Sequence, residues 1–215
     1  MKKTIYNKYD KNAIAALPRV VFEGRIVVIF TEKEAAKAVD FLLSQPLLGV
    51  DTETRPTFRK GPMHQVALLQ VSTHDVCFLF RLNRLGMSPS VKRLLEDKKV
   101  PKIGLSLTDD MHQLRRLGDF EEGSFIDLQN HVREIGVEDM SLQKLYANFF
   151  GLKISKRQQL SNWEAEILDN KQQLYAATDA WACLMLYEEL LRLEETNDYE
   201  LIQIDDVQAD TLTQG

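Results

Sequence analysis

Hydrophobic and polar positions follow two periods along the chain, and the change from one to the other organises it. RIVVIF (25–30), rich in β-branched residues, predicts a strand. Thr31 and Glu34 then make the pattern of a capping box, which predicts a helix to about Ser44. The apolar run 47–50 predicts a buried strand leading into two acids, Asp51 and Glu53. A loop rich in Arg, Lys, Pro and Gly follows at 55–62, and QVALLQVS (65–72) and VCFLF (76–80) predict two more strands parted by the turn residues THD. Residues 89–98 read as helix, VPKIG (100–104) as a short strand, 108–117 as a helix capped by Thr108, and SFIDL (124–128) as a further strand. From about residue 139 the period is helical almost to the end. Leu142, Leu145, Tyr146 and Phe149 share a helix face, and Gly151 is placed to end that helix. Ser161 with Glu164 makes a second capping-box pattern, and Asp169 with Gln172 marks the start of a last helix over 170–192. Strands with interspersed helices, then a helical second half, predict one mixed α/β domain.

Composition narrows this picture. With 44% hydrophobic and 27% charged residues, the 215-residue chain has enough apolar content for one well-filled domain. No window approaches the roughly 18 apolar residues of a membrane helix, and the N-terminal stretch lacks the apolar core of a signal peptide. The two cysteines, Cys77 and Cys183, are far apart in apolar surroundings, which predicts packed free thiols, a reducing cytoplasmic location and no structural zinc. A net charge of −5 argues at first against a nucleic-acid partner. Residues 193–215, however, carry seven acids and no Lys or Arg, so the rest of the chain has a net charge of +2. A phosphate-rich substrate is therefore compatible with the charge distribution.

Three short stretches carry candidate chemistry. In GVDTETRP, Asp51 and Glu53 at i and i+2 point to the same face of a strand. Two like charges so placed raise one another's pKa unless a cation lies between them, and Mg²⁺ or Mn²⁺ suits carboxylate oxygens. The alternative is that the acids open a solvated loop. In QQLYAATDAWACLMLYEEL, Tyr175 and Asp179 at i and i+4 share a helix face. An acid among such small and apolar residues is costly to bury unless it is paired or binds metal. In PKIGLSLTDDMHQL, Asp109 and Asp110 open a helix, where acids also complement the helix dipole.

Taken in order, GVDTETRP, the S-L-T-D-D stretch and YAATDA resemble the three motifs of the DEDDy-type 3′-to-5′ exonucleases, which have a ribonuclease H-like fold. LPRVVFEGRIV (17–27) and LSNWE (160–164) are similar to the flanking segments of the Werner-type members, and the resemblance covers roughly residues 17–192. It implies an N-terminal arm over 1–16, an exonuclease domain with a mixed sheet flanked by helices over 17–192, and an acidic tail over 193–215. It implies Asp51, Glu53, Asp110 and Asp179 as carriers of two divalent ions, Mg²⁺ or Mn²⁺, roughly 4 Å apart. Asp51 would bridge both ions, Glu53 and Asp179 would complete the first, and Asp110 would support the second through water. Tyr175 and Glu53 would orient the attacking water, and 5′-mononucleotides would leave a free 3′ end. Ser106 departs from the family pattern, where many relatives have Asn or Gly four residues before the acid.

Substrate contacts are expected from Arg55, Arg59 and Lys60 after the first motif and from Lys153, Lys156 and Arg157, which could meet backbone phosphates or simply form a solvated basic surface. Thr52 and Thr54 could present main-chain groups to the terminal nucleotide, and Trp163 is expected to pack beneath the last helix. The favoured substrate is DNA. The alternatives are a ribonuclease D-like exoribonuclease, a scavenger of short oligonucleotides and a binding protein without catalysis. With no helicase following the motifs, unwinding is expected from a helicase on another chain.

Overall fold

The computed structural model describes residues 2–58 and 63–204. It begins with strand β1 (Lys3–Tyr6) and the short helix α1 (Lys11–Ile14). Strand β2 (Arg25–Ile29) leads into helix α2 (Glu32–Leu42), which starts with the expected capping box between Thr31 and Glu34. Strand β3 (Leu48–Thr54) does not stop before the acids. It runs through Asp51 and Glu53, and its register shifts only between Glu53 and Thr54.

Strands β4 (Val66–Ser72) and β5 (Val76–Arg81) are followed by helices α3 (Leu82–Leu85) and α4 (Pro89–Glu96). Then come β6 (Lys102–Gly104), α5 (Leu107–Arg115), β7 (Phe125–Asp127), α6 (Leu128–Glu134) and α7 (Leu142–Phe150), the last ended by Gly151 in the left-handed region. Helix α8 (Asn170–Thr196) starts with the Asp169–Gln172 capping box and runs beyond the expected end at 192. It hands over to β8 (Tyr199–Ile202), which pairs in parallel with β1, so the two ends of the described chain lie side by side. Asp205, Asp206 and Asp210 of the acidic stretch lie outside the described residues.

The sheet has six strands in the order β2-β5-β4-β3-β6-β7. β4 is antiparallel to both β3 and β5, while β2 pairs with β5, β6 with β3 and β7 with β6 in parallel. The α/β architecture with a mixed sheet is thus present. One face is covered by α2, α4 and α5, whose Val39, Leu94 and Met111 pack with Val50, Leu69, Val71 and Phe80. The other face is covered by α8, which buries Ala176 and Ala177 against Leu68 and Leu79, while its C-terminal half packs on α6 and α7 through Leu186 and Leu190.

Two expected helix starts differ. Helix α5 begins one residue before Thr108, behind Ser106 in the left-handed region (φ 61°). Its free backbone N–H groups are capped from a distance: the Asp127 carboxylate accepts from Ser106 N at 3.0 Å and from Leu107 N at 2.9 Å. Ser161 and Glu164 open no helix. Residues 151–169 form turns and extended backbone, the Ser161 hydroxyl donates to Gln158, and Glu164 engages Arg55.

Where α8 crosses β3 the two backbones nearly touch. A Cβ at Gly49 would lie 2.0 Å from the Ala180 carbonyl oxygen and 3.1 Å from the Leu184 Cβ. Gly49→Val therefore has to drive α8 off the strand, since backbone cannot turn aside as a side chain can. We expect a loss of at least about 2 kcal/mol in urea unfolding, whereas Gly86→Ala, which meets no atom within 4 Å, should cost less despite its positive φ.

Candidate active site

Three elements converge at the end of β3. Alternation along this strand turns Gly49, Asp51 and Glu53 toward α8, and turns Val50 and Thr52 toward the opposite face. The capping box at Asp169 fixes where α8 starts, so Tyr175 and Asp179 fall one turn apart on the side facing the strand acids. The carboxylate oxygens of Asp51, Glu53 and Asp179 lie within 4.8 Å of one another. Asp110, in the first turn of α5, stands beside this trio and accepts a short hydrogen bond from the Thr52 hydroxyl. Asp109 is not part of the group; Asp110 is the acid that the fold turns inward.

Burial and mutual repulsion dominate the electrostatics. Burial, followed by the charges of Asp179 and Asp110, raises the Asp51 carboxyl well above the usual range. Glu53 is pushed up to about 10, first by burial and then by Asp51. Asp179 rises to about 7 through burial, against the pull of Tyr175 and of the Lys156 charge. Asp110 rises to about 6 through burial, against the Thr52 hydrogen bond. Tyr175 is held as a neutral hydroxyl by burial and by the Asp179 and Glu53 charges. Asp179 Oδ1 is buried without a hydrogen-bond partner. Converging carboxylates, one with a free buried oxygen, are a donor set suited to hard divalent cations.

The site opens into a pocket of about 280 Å³ lined by Asp51, Glu53, Tyr175 and Asp179 together with Lys156 and Gln143. Among the expected substrate contacts, Lys156 lies on this pocket. Lys153 does not: its ammonium donates to the Ala15 carbonyl of the N-terminal segment. Arg55 is exposed and pairs with Glu164 at 3.2 Å, which also bonds His64 at 2.9 Å. Arg157 is exposed and does not line the pocket, Thr52 is engaged with Asp110, and Thr54 is half-buried beside the register shift. Arg59 and Lys60 lie outside the described residues. Trp163 is fully buried and tilts against the Tyr175 ring, with centroids 6.0 Å apart. Its loop is tied down by Arg81, whose buried guanidinium donates to the Ala165 and Glu166 carbonyls.

Sequence reasoning missed several lining residues, Cys183 and Gln143 among them. Cys183 follows Asp179 by four positions, so the helical period that linked Tyr175 to Asp179 also points to it. Gln143 reaches the pocket only because α7 packs beside α8, and no local signal announces that.

The site thus sets two acids of a central strand of a mixed sheet against a tyrosine and an acid from one helix. A 3′-5′ exonuclease family model matches residues 26–194, and the chain belongs to that family. It is similar to the mouse bifunctional 3′-5′ exonuclease/ATP-dependent helicase WRN, with 31% identity over 190 residues; the match covers 84% of this chain but only 14% of that protein. The fold is similar to that of the Aedes aegypti Nibbler EXO domain, with a TM-score of 0.72 and 20% identity over 83% of this chain and 92% of that one. It is also similar to Escherichia coli RNase D, with a TM-score of 0.72 and 21% identity over 80% of this chain and 46% of that one. Among the described residues, no helix is long and apolar enough to cross a membrane.

The raised carboxylates make the metal-free protein sensitive to pH. A carboxyl that holds its proton more tightly when folded adds no penalty below the unfolded pKa, then destabilises the fold as pH rises toward its folded value. For Asp110 and Asp179 that window runs from about 4 to about 7. In EDTA, the melting temperature should fall between pH 5 and pH 8. Added Mn²⁺ should raise it more at pH 8 than at pH 5, and Asp179→Asn should flatten the pH dependence in scanning fluorimetry.

Proposed function

We propose that this chain is a metal-dependent 3′-5′ exonuclease that removes 5′-mononucleotides from the 3′ end of DNA in preference to RNA. The observation that carries the reading is the convergence of Asp51, Glu53 and Asp179 within 4.8 Å, with Tyr175 on the same pocket. Asp51, Glu53 and Asp179 would hold one divalent cation, and Asp110 with Asp51 a second, Mg²⁺ and Mn²⁺ being the fitting ions. When bound, such cations lower the pKa of a water molecule and offset charge on the phosphoryl oxygens.

The chain's own groups supply the rest. Tyr175 stays protonated, so its hydroxyl orients a water rather than attacking phosphorus. Glu53 lies on the same pocket and accepts that water's proton or hydrogen bond. Lys156 offers a positive charge at the rim for a backbone phosphate. The apolar floor under α8 keeps bulk water from the back of the site, which strengthens each of these interactions.

The preference for DNA is supported by the flanking segments LPRVVFEGRIV and LSNWE, which resemble Werner-type domains, and by the 31% identity to the mouse exonuclease/helicase. The second reading, an exoribonuclease, is favoured by the fold's likeness to RNase D, an exoribonuclease involved in structured RNA processing. The two differ in how the pocket treats a 2′-OH.

Incubation of 5′-labelled single-stranded DNA, recessed duplex DNA and RNA with Mg²⁺ or Mn²⁺ tests both. A ladder shortening from the 3′ end is expected, faster on DNA, abolished in Asp51→Ala and slowed about a hundredfold in Tyr175→Phe. Faster shortening of RNA would select the second reading. Absence of metal-dependent cleavage on every substrate would overturn both.

A further inference from the structure

The middle of β4 holds a side chain that the fold leaves without a role. Gln70 is fully buried, and among the described residues neither its Nε2 nor its Oε1 has a hydrogen-bond partner. Its neighbours along the strand, Leu68, Leu69 and Val71, are all buried apolar residues. A primary amide in such a place costs free energy that Leu or Met would not. Packing alone therefore does not explain it.

The register shows what the amide faces. Gln70 stands directly opposite Asp51 in the antiparallel β3–β4 pair. Opposed residues send their side chains to the same face with Cβ atoms about 4.5–5.5 Å apart. On β5 its partner is the apolar Leu79, and the alanines of α8 pack over the neighbouring Leu68 and Leu79. The hydroxyls of Ser72 and Thr178 bond elsewhere, and neither is a partner of the amide. Ser72 donates to the Thr73 carbonyl, while Thr178 donates to Leu174 O and accepts from Phe22 N. Of the carboxylates on that face, Asp51 is the one the register sets directly opposite the amide; Glu53 stands opposite Leu68, and Asp179 lies on α8.

We propose that Gln70 is a positioning residue whose Nε2 donates to the Asp51 carboxylate in the metal-loaded site and fixes its direction toward Glu53 and Asp179. The proposal rests on the metal-dependent reading given above. A glutamine amide suits the task because it donates without adding charge to a cluster that already repels itself. An amide held in reserve beneath a metal-binding carboxylate acts as the outer-layer partners of metal sites do, by orienting the group and favouring its charged form.

Three measurements on Gln70→Leu test it: melting temperature in EDTA, Mn²⁺ affinity by calorimetry, and kcat and KM on whichever nucleic acid the wild type degrades. The expected result is a metal-free protein that melts no lower than wild type, binds Mn²⁺ about 10–100-fold more weakly, and loses kcat by a similar factor with KM unchanged. Gln70→Asn, which keeps the amide, should recover part of the affinity. In an Asp51→Asn background the further loss on adding Gln70→Leu should vanish. A variant that binds Mn²⁺ and turns over like wild type would overturn the proposal. So would failure of both Gln70→Leu and Gln70→Met to fold, because the proposal gives the amide no structural bond. If the wild type cleaves no nucleic acid, the exonuclease reading falls, yet the Mn²⁺ affinities still decide the role of Gln70.

Discussion

The near-contact of α8 with β3 at Gly49 is the constraint on which the rest of the site depends. Ala180, whose carbonyl lies over Gly49, immediately follows Asp179, and Gly49 stands two residues before Asp51 on the same strand face. Any residue with a Cβ at position 49 would push the helix outward and separate the carboxylates by the same amount. The small side chains of Ala176, Ala177 and Ala180 on α8 allow the approach over more than one turn. Backbone proximity, not a salt bridge or a disulfide, thus sets the distances within the cluster.

That proximity is costly. Two unit charges about 4 Å apart repel by roughly 4 kcal/mol at an effective dielectric of about 20, and here three carboxylates share such a space with a fourth beside them. Without a cation the cluster holds its protons more tightly than free carboxyls do, as the raised values of Glu53, Asp110 and Asp179 record. Stability is supplied elsewhere, by the apolar layers on both faces of the sheet. Such a site is destabilised by its own carboxylates, which the proposed cations would relieve, and local destabilisation of this kind is the usual companion of a binding site held ready.

Much of this was legible along the chain because it is local. The capping boxes at Thr31 and Asp169, the shared face of Asp51 and Glu53 on β3 and the spacing of Tyr175 and Asp179 all act within one turn or one strand. What sequence reasoning misplaced depends on distant partners. The apolar run 47–50 reads as the strand proper, but pairing with β4 carries it on through Asp51 to Thr54. Thr108 reads as a cap, but Asp127, about 20 residues onward, caps α5 and also accepts from Gln129 N at the start of α6. Ser161 and Glu164 read as a capping box, but Arg55 and His64 claim the glutamate. Lys153 reads as a phosphate contact, but the Ala15 carbonyl holds it. The parallel pairing of β1 with β8 joins segments nearly 200 residues apart and leaves no local trace.

Alternation along β3 also explains why the acids divide as three and one. Asp51 and Glu53 face α8, so Asp179 can join them from above, whereas Thr52 faces α5 and takes Asp110 as its partner. A single strand thereby addresses two helices on opposite sides of the sheet, and Asp51 lies at the junction of the two groups. This division fits the proposed pair of ions better than a single one, since one ion among the trio would leave Asp110 and its Thr52 hydrogen bond without a chemical purpose. It also gives the Thr52 side chain a task beside the main-chain contact expected of that residue, which lines the pocket. Its hydroxyl holds Asp110 at the edge of the cluster, and replacing that hydroxyl should disturb the second group while leaving the first intact.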